Sequence, residues 1–306
     1  MMSEVENVID LSHLTSSAQA AALLPSAERI ARIRADRWIG YTRARQAIEQ
    51  LEDLFAWPDR QRMQNMLLIG PTNNGKSMIL ERFRRQHLSY VSEDGEREVI
   101  PVLVMQMPSD PSISRFYTIL LYALNSPAMP RMRVPDLELL ALRLMRLTKV
   151  RMLVIDELHN MLAGGSTLRS EFLNLLRFLG NELRIPLVGA GTEDAYRAIR
   201  TDDQLENRFK PFVLSRWSDN EEFLSLLASF AASFPLRQPS YLHNQDMARY
   251  ILARTEGTIG EVATLLTQAA IVAIESGEES MNARTLSIAD YDSPTERRRK
   301  FEREIA

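Results

Sequence analysis

The 306-residue chain contains no cysteine, which excludes disulfides, thiolate metal sites and thiol nucleophiles. Histidine is almost as scarce, and His13, His87, His159 and His243 are too scattered to suggest a metal cluster. No apolar run approaches the roughly 18 residues that argue for a membrane span; the longest, such as Ala269 to Ile274, are far shorter. No membrane partner is expected. An excess of one charge is also missing. Lys plus Arg numbers 37 and Asp plus Glu 40, a net of −3, which is too balanced for a globally basic nucleic-acid coat, so any such contact must be local. Lysine itself is rare, with Lys76, Lys149, Lys210 and Lys300 the only four; the arginine excess reads as genomic base composition. The opening MMSEVENVIDLSHL carries Glu4, Glu6 and Asp10 and no basic residue, so no secretory leader is expected. Together with the absent cysteines, this makes a reducing cytoplasm the expected compartment.

What is present is an alternation of short apolar runs and helical patterns. The runs Met66 to Ile69, Val99 to Met105, Met152 to Ile155, Ile185 to Val188 and Phe212 to Leu214 read as five strands. Helical segments lie between them at Ser77 to Gln86, Ser114 to Leu124, Leu137 to Leu147 and Leu168 to Leu183. Strand and helix in alternation predict an α/β domain with a parallel, doubly wound sheet. After Trp217 strand signals vanish, and Glu221 to Phe234, Asn244 to Arg254 and Ile259 to Glu275 read as helices. The expected organisation is an N-terminal helical extension over 1–37, an α/β domain over 38–217, a small helical domain over 218–292 and a basic tail over 293–306.

Two strings carry chemistry. Gly70-Pro71-Thr72-Asn73-Asn74-Gly75-Lys76-Ser77 fits G-x-x-x-x-G-K-[ST] between an expected strand and an expected helix. In that setting backbone N–H groups turn inward around phosphate oxygens, Lys76 brings a mobile charge to the outer phosphates and Ser77 ligates magnesium. The second string is Met152-Leu153-Val154-Ile155-Asp156-Glu157, an apolar strand ending in two acids. Beside such a loop, Asp156 would join the magnesium shell and Glu157 would polarise an attacking water. ATP and Mg²⁺ are therefore the expected ligands.

The order of these elements, with a helical lid after them, resembles the AAA+ ATPases over about Trp38 to Ile288. Within that class, Asp156-Glu157-Leu158-His159-Asn160-Met161-Leu162-Ala163-Gly164, Asn181-Glu182-Leu183-Arg184-Ile185-Pro186 and Gly189-Ala190-Gly191-Thr192 resemble the TniB and TnsC branch of transposition ATPases. The resemblance implies an AAA+ P-loop domain with a five-stranded parallel sheet and a small C-terminal helical lid. It implies further site residues too. Thr192 falls at the sensor 1 position, with a helix cap before Glu193 as the plain alternative. Arg208 matches the finger that one subunit presents to its neighbour's ATP; Arg200 is second choice, and a surface ion pair is the alternative for either. Gly40 and Tyr41, in Ile39-Gly40-Tyr41, match a segment that encloses adenine, or else form an ordinary turn leading into a helix. One departure stands out: Gly257-Thr258-Ile259-Gly260 puts glycine where a sensor 2 arginine is usual, with Arg254 the only substitute in view.

Between Met129 and Arg151 the cations Arg131, Arg133, Arg143, Arg146, Lys149 and Arg151 outnumber Asp136 and Glu138. In proteins resembling TnsC the corresponding segment faces DNA, so Arg131 and Arg133 are the expected phosphate contacts, with Arg169, on the loop after the Asp-Glu strand, a further candidate. Arg143 and Arg146 instead suit the solvated side of an amphipathic helix. The resemblance thus implies an ATP-dependent DNA-binding regulator of transposition that oligomerises as a ring or filament on target duplex DNA, recruits or activates a DDE transposase and disassembles on ATP hydrolysis, with a target-selector protein as a further partner. A helicase loader, a secretion ATPase like ExeA, or a scaffold that binds ATP without turnover remain as alternatives.

Overall fold

The computed structural model describes residues 10–126, 131–162 and 165–305. Residues 1–9 of the expected extension, Met129 and Pro130 of the basic segment, and Ala163 and Gly164 of the Asp-Glu string lie outside these. In chain order the elements are helices α1 (Ser16–Ala22), α2 (Ser26–Arg34) and α3 (Thr42–Ala56), strand β1 (Asn65–Ile69), α4 (Lys76–Gln86), strands β2 (Tyr90–Val91), β3 (Glu98–Val99) and β4 (Val102–Gln106), then α5 (Ile113–Ala123) and α6 (Val134–Leu147). There follow β5 (Met152–Asp156), a 3₁₀ turn (Leu158–Leu162), α7 (Ser166–Leu183), β6 (Leu187–Gly191), α8 (Glu193–Ile199), α9 (Asp203–Glu206) and β7 (Phe209–Val213). The remainder is helical: α10 (Glu221–Ser233), α11 (Gln245–Thr255), α12 (Ile259–Glu275), α13 (Ala283–Ile288) and α14 (Pro294–Glu304). Among the described residues no single helix is long and apolar enough to cross a membrane.

The chain divides into two compact units, Arg43–Ser215 and Met1–Thr42 with Arg216–Ala306. In the first, five parallel strands form one sheet in the order β4-β5-β6-β1-β7. β1 and β6 are buried at every residue, the pattern of strands covered on both faces. Leu67, Leu103, Ile155 and Leu187 from the sheet meet Phe116, Phe172 and Leu176 from α5 and α7 in one core. At the sheet edge, β7 buries Phe209 and Phe212 and exposes Lys210, Pro211 and Val213, and an edge position tolerates Pro211.

Prolines account for two departures from the sequence reading. The expected strand from Val99 to Met105 is broken at Pro101: Glu98–Val99 pairs antiparallel with Tyr90–Val91 in a separate ribbon, and the parallel strand begins only at Val102. Pro101 has no N–H for a ladder, while its carbonyl accepts from the Arg151 and Met152 N–H groups. Likewise the strand expected from Ile185 starts after Pro186, at Leu187, and runs on to Gly191. The last strand begins three residues before the expected Phe212.

The second unit differs most from expectation. The described part of the 1–37 segment does not stand apart from the C-terminal helices. Ile33 and Ile39 share a core with Phe223, Leu227, Leu265 and Ala269. Arg29, only 1% exposed, grips Glu279 with two hydrogen bonds of 2.6 Å and donates a third, of 3.1 Å, to the Pro235 carbonyl. The division between units accordingly falls after Thr42 and Ser215 rather than at 38 and 217. The basic tail forms α14, which starts in a capping box between Ser293 and Glu296 and buries no residue. Arg297 to Glu261 at 2.7 Å and Lys300 to Asp292 at 2.5 Å tether it.

Candidate nucleotide site

β1 delivers the chain to Gly70, whose N–H donates to the Gly191 carbonyl at 3.1 Å. A Cβ at Gly70 would stand 2.7 Å from the Leu214 carbonyl oxygen, so the loop approaches the next segment as closely as backbone permits. Asn73 and Gly75 take left-handed conformations, with φ of 60° and 84°, and so wrap the loop onto the start of α4. The buried Asn74 clamps it from outside, donating to the carbonyls of Leu214 at 2.9 Å and Ser215 at 3.0 Å. Lys76, the first residue of α4, is 6% exposed, and its Nζ donates to the Gly70 and Pro71 carbonyls at 2.8 and 2.7 Å. Burial pulls the Lys76 ammonium below its ordinary range, against the opposing pull of the nearby Glu157 and Asp156 carboxylates. An ammonium has three N–H bonds, so one remains beyond the two given to the loop.

The acids come from the end of β5. Ser77 Oγ donates to Asp156 Oδ2 at 2.5 Å, while Asp156 Oδ1 accepts the Glu157 N–H at 2.8 Å. Glu157 itself is left-handed, φ 54°, and its Oε2 lies 3.2 Å from His159 Nε2. Because β6 lies between β1 and β5 in the sheet, Thr192, directly after β6, emerges between the loop and the acids. It occupies the residue ahead of α8 yet makes no capping hydrogen bond; its Oγ1 is buried without a partner among the described residues.

Arg208 is placed elsewhere. Its carbonyl accepts from the Asn65 N–H at 2.9 Å, so it stands at the beginning of β1, a strand's length of about 16 Å from the loop at the other end. Arg208 Nη1 donates to Asn181 Oδ1 at 2.8 Å, beside a cavity of about 380 Å³ that Arg62, Gln64, Asp203 and Asn207 also line. Arg200 is in an ion pair with Glu206 at 2.8 Å. Gly40 and Tyr41 belong to the helical unit. There Tyr41 meets Trp217 edge to face, ring centres 5.1 Å apart, and burial pushes its phenol up to about 12. Arg254 spends its guanidinium on the Leu286 and Tyr291 carbonyls, both at 2.7 Å, a structural role within that unit.

The basic segment is only partly free. Arg131 is exposed, with φ 68°. Arg133, ahead of α6, is exposed but 3.1 Å from Asp136. Arg146 pairs with Glu182, and Arg151 lies over the Phe55 ring and donates to the Phe55 carbonyl. Arg169 sits in the first turn of α7 rather than on a loop, half-buried, with its Nε unpartnered. Asn181 is the contact that sequence reading missed, with no signal but its string, whereas His159 reads in sequence as a packed or hydrogen-bonded residue outside the catalytic set and lies against Glu157.

Sheet, loop and terminal acids define the AAA+ P-loop fold, and solved structures agree. The Aeropyrum pernix ORC2 protein, solved as ADPNP-ADP complexes, is 15% identical over 84% of this chain and 70% of that one, with a TM-score of 0.60. Cdc6p from Pyrobaculum aerophilum is 16% identical over 82% and 67%, TM-score 0.56. The Drosophila ORC bound to DNA is 12% identical over 94% and 68%, TM-score 0.54. At such identities the likeness is one of fold. A family model described as bacterial TniB protein matches residues 29–219, and the chain belongs to that family. No curated protein matches the sequence.

Proposed function

We propose that the protein is an ATP-hydrolysing transposition regulator that assembles with ATP on duplex DNA, presents that target to a DDE transposase and disassembles on hydrolysis. The observation that carries the chemical part is the 2.5 Å contact between Ser77 and Asp156, 79 residues apart in sequence. It places a hydroxyl and a carboxylate together beside Lys76, with Glu157 adjoining. The residues fit a nucleotide with magnesium on one further count, the buried hydroxyl of Thr192, which has no partner among the described residues. The loop from Gly70 through Pro71, Thr72, Asn73, Asn74 and Gly75 would hold the phosphates with its backbone N–H groups. Lys76 adds its remaining donor. Ser77 and Asp156 would hold Mg²⁺, which when bound neutralises phosphate charge. Glu157 orients a water and takes its proton as the water oxygen bonds to the γ-phosphorus and the bond to ADP breaks. Thr192 senses the γ-phosphate.

Arg208 acts in trans, on a neighbour's nucleotide, because it lies a strand's length from its own loop. This makes assembly depend on ATP. Membership of the TniB family supports the transposition role. The DNA carried by the Drosophila protein of similar fold makes duplex DNA the partner to test, with Arg131, Arg133 and Arg169 as contacts. The decisive experiment is a pair of variants assayed for ATP binding and turnover with and without duplex DNA. Lys76→Ala should abolish binding, since Lys76 acts on ground-state phosphates. Glu157→Gln should keep ATP, lose turnover and remain assembled on DNA. Equal loss of ATP affinity in both would refute the assignment of roles.

A further inference from the structure

Glu157 has an unusual support. It follows β5 at φ 54°, so the alternation of the strand no longer dictates where its side chain points. What stands against its carboxylate is His159 Nε2, 3.2 Å from Oε2. The imidazole is itself wedged at the end of β6. A Cβ built on Gly191 would lie 2.9 Å from the Ala195 Cβ, 3.3 Å from the His159 backbone nitrogen and 3.5 Å from His159 Nδ1, so the ring packs within van der Waals distance of this glycine. A carboxylate accepts hydrogen bonds and donates none, so the tautomer that favours this contact carries its proton on Nε2. That assigns the other nitrogen, Nδ1, to the Gly191 side, where it is buried with no partner among the described residues. Packing alone does not ask for this. A buried polar atom left unpaired opposes folding, and an apolar side chain of similar size would avoid it. The ring is retained in a form that is useful on one side only, the side of Glu157.

We propose that His159 is the positioning residue for Glu157: packed beside Gly191 at the end of β6, it fixes the carboxylate that orients the attacking water. The inference rests on the ATPase reading given above. It differs from a role for His159 as a base, because the imidazole neither touches the water nor gains or loses a proton; it acts through Glu157 alone.

The test uses the full chain with ATP, Mg²⁺ and duplex DNA. His159→Ala should lower kcat about 10- to 100-fold, the range for removing a group that orients a reacting one, with the KM for ATP and the binding of ATP unchanged. His159→Gln places an amide N–H where Nε2 stood and should restore most of the rate. His159→Asn places it where Nδ1 stood, out of reach of Oε2, and should not. The loss should also vanish in a Glu157→Gln background, where no carboxylate is left to position. Equal damage by Gln and Asn, a parallel rise in KM, or an undiminished His159→Ala effect on top of Glu157→Gln would each overturn the inference. If Glu157→Gln slows turnover while His159→Ala matches the parent, the positioning role alone falls. If Glu157→Gln turns over ATP at the parent rate, the ATPase reading falls and takes this one with it.

Discussion

Asn74 shows how one side chain sets the shape of the loop. Its amide donates to two successive carbonyls, Leu214 and Ser215, from a buried position, while the Leu214 N–H reaches the Ile69 carbonyl at 2.7 Å. Removing the amide leaves two acceptors facing a gap, which costs about 1–3 kcal/mol for each buried group left unpaired. Asn74→Ala should therefore lower the urea midpoint and loosen ATP binding together. Asn74→Asp should be worse at neutral pH, because an acceptor would confront two acceptors. Denaturant melts of the three proteins check this order; an Asp variant as stable as the parent would show that the clamp carries no strain. Such a contact is invisible in sequence, where its partners stand 140 and 141 residues away. The loop glycines and the two acids are legible because their pattern is local. The meeting of Ser77 with Asp156 is set by the order of strands, which no string of residues states.

At the scale of elements, prolines and short helices mark the boundary of what the sequence makes readable. The run from Val99 to Met105 is continuously apolar apart from Pro101, so apolarity alone predicts one strand where backbone chemistry makes two pieces. α8, α9 and α13 are seven residues or fewer, too short for a helical period to register. By contrast α12, expected from Ile259 to Glu275, spans those residues, since its long apolar stripe leaves no competing period. The hold of α2 on Glu279 is the element-level contact with the largest consequence. Burial disfavours charge on Glu279, but hydrogen bonds from Arg29 and the Arg237 N–H outweigh it and keep the carboxyl below its ordinary value of 4.5. Arg29→Ala should cost about 1–3 kcal/mol by leaving a partly buried carboxylate with only the Arg237 N–H. A depressed carboxyl contributes stability above its ordinary value and loses it as pH falls through its folded one. The gap in stability between parent and Arg29→Ala should accordingly be full at pH 7 and close below about pH 4.5, which melts across that range will report.

At the scale of the whole molecule, an arginine a strand's length from its own loop predicts complementation. Arg208→Ala should bind ATP as a protomer yet fail to assemble, and Lys76→Ala should fail to bind. Mixed together, they should regain part of the turnover, because some neighbouring pairs then combine Lys76 from one copy with Arg208 from another. Co-assembled mixtures without activity at any ratio would exclude the trans arrangement. DNA binding gives a second whole-molecule measurement. Removing Arg131 should flatten the slope of log affinity against log salt by roughly 0.9 and should do so alike on unrelated duplexes. Arg133 is partly neutralised by Asp136, so Asp136→Asn should tighten binding by freeing it. Unchanged slopes for both would deny the segment a role on DNA.

The union of α2 with the C-terminal helices also has a meaning in time. Arg29 and Glu279 lie 250 residues apart, and at about 5–20 residues per second a ribosome needs roughly 12–50 s to travel that interval. The α/β unit, bounded by Arg43 and Ser215, is complete well before then. The apolar side of α2, with Ile33 and the charge of Arg29, must wait until then without its partners. The helical unit therefore becomes native after the α/β unit, and until then it is where a chaperone or a protease would find the newborn chain unfinished.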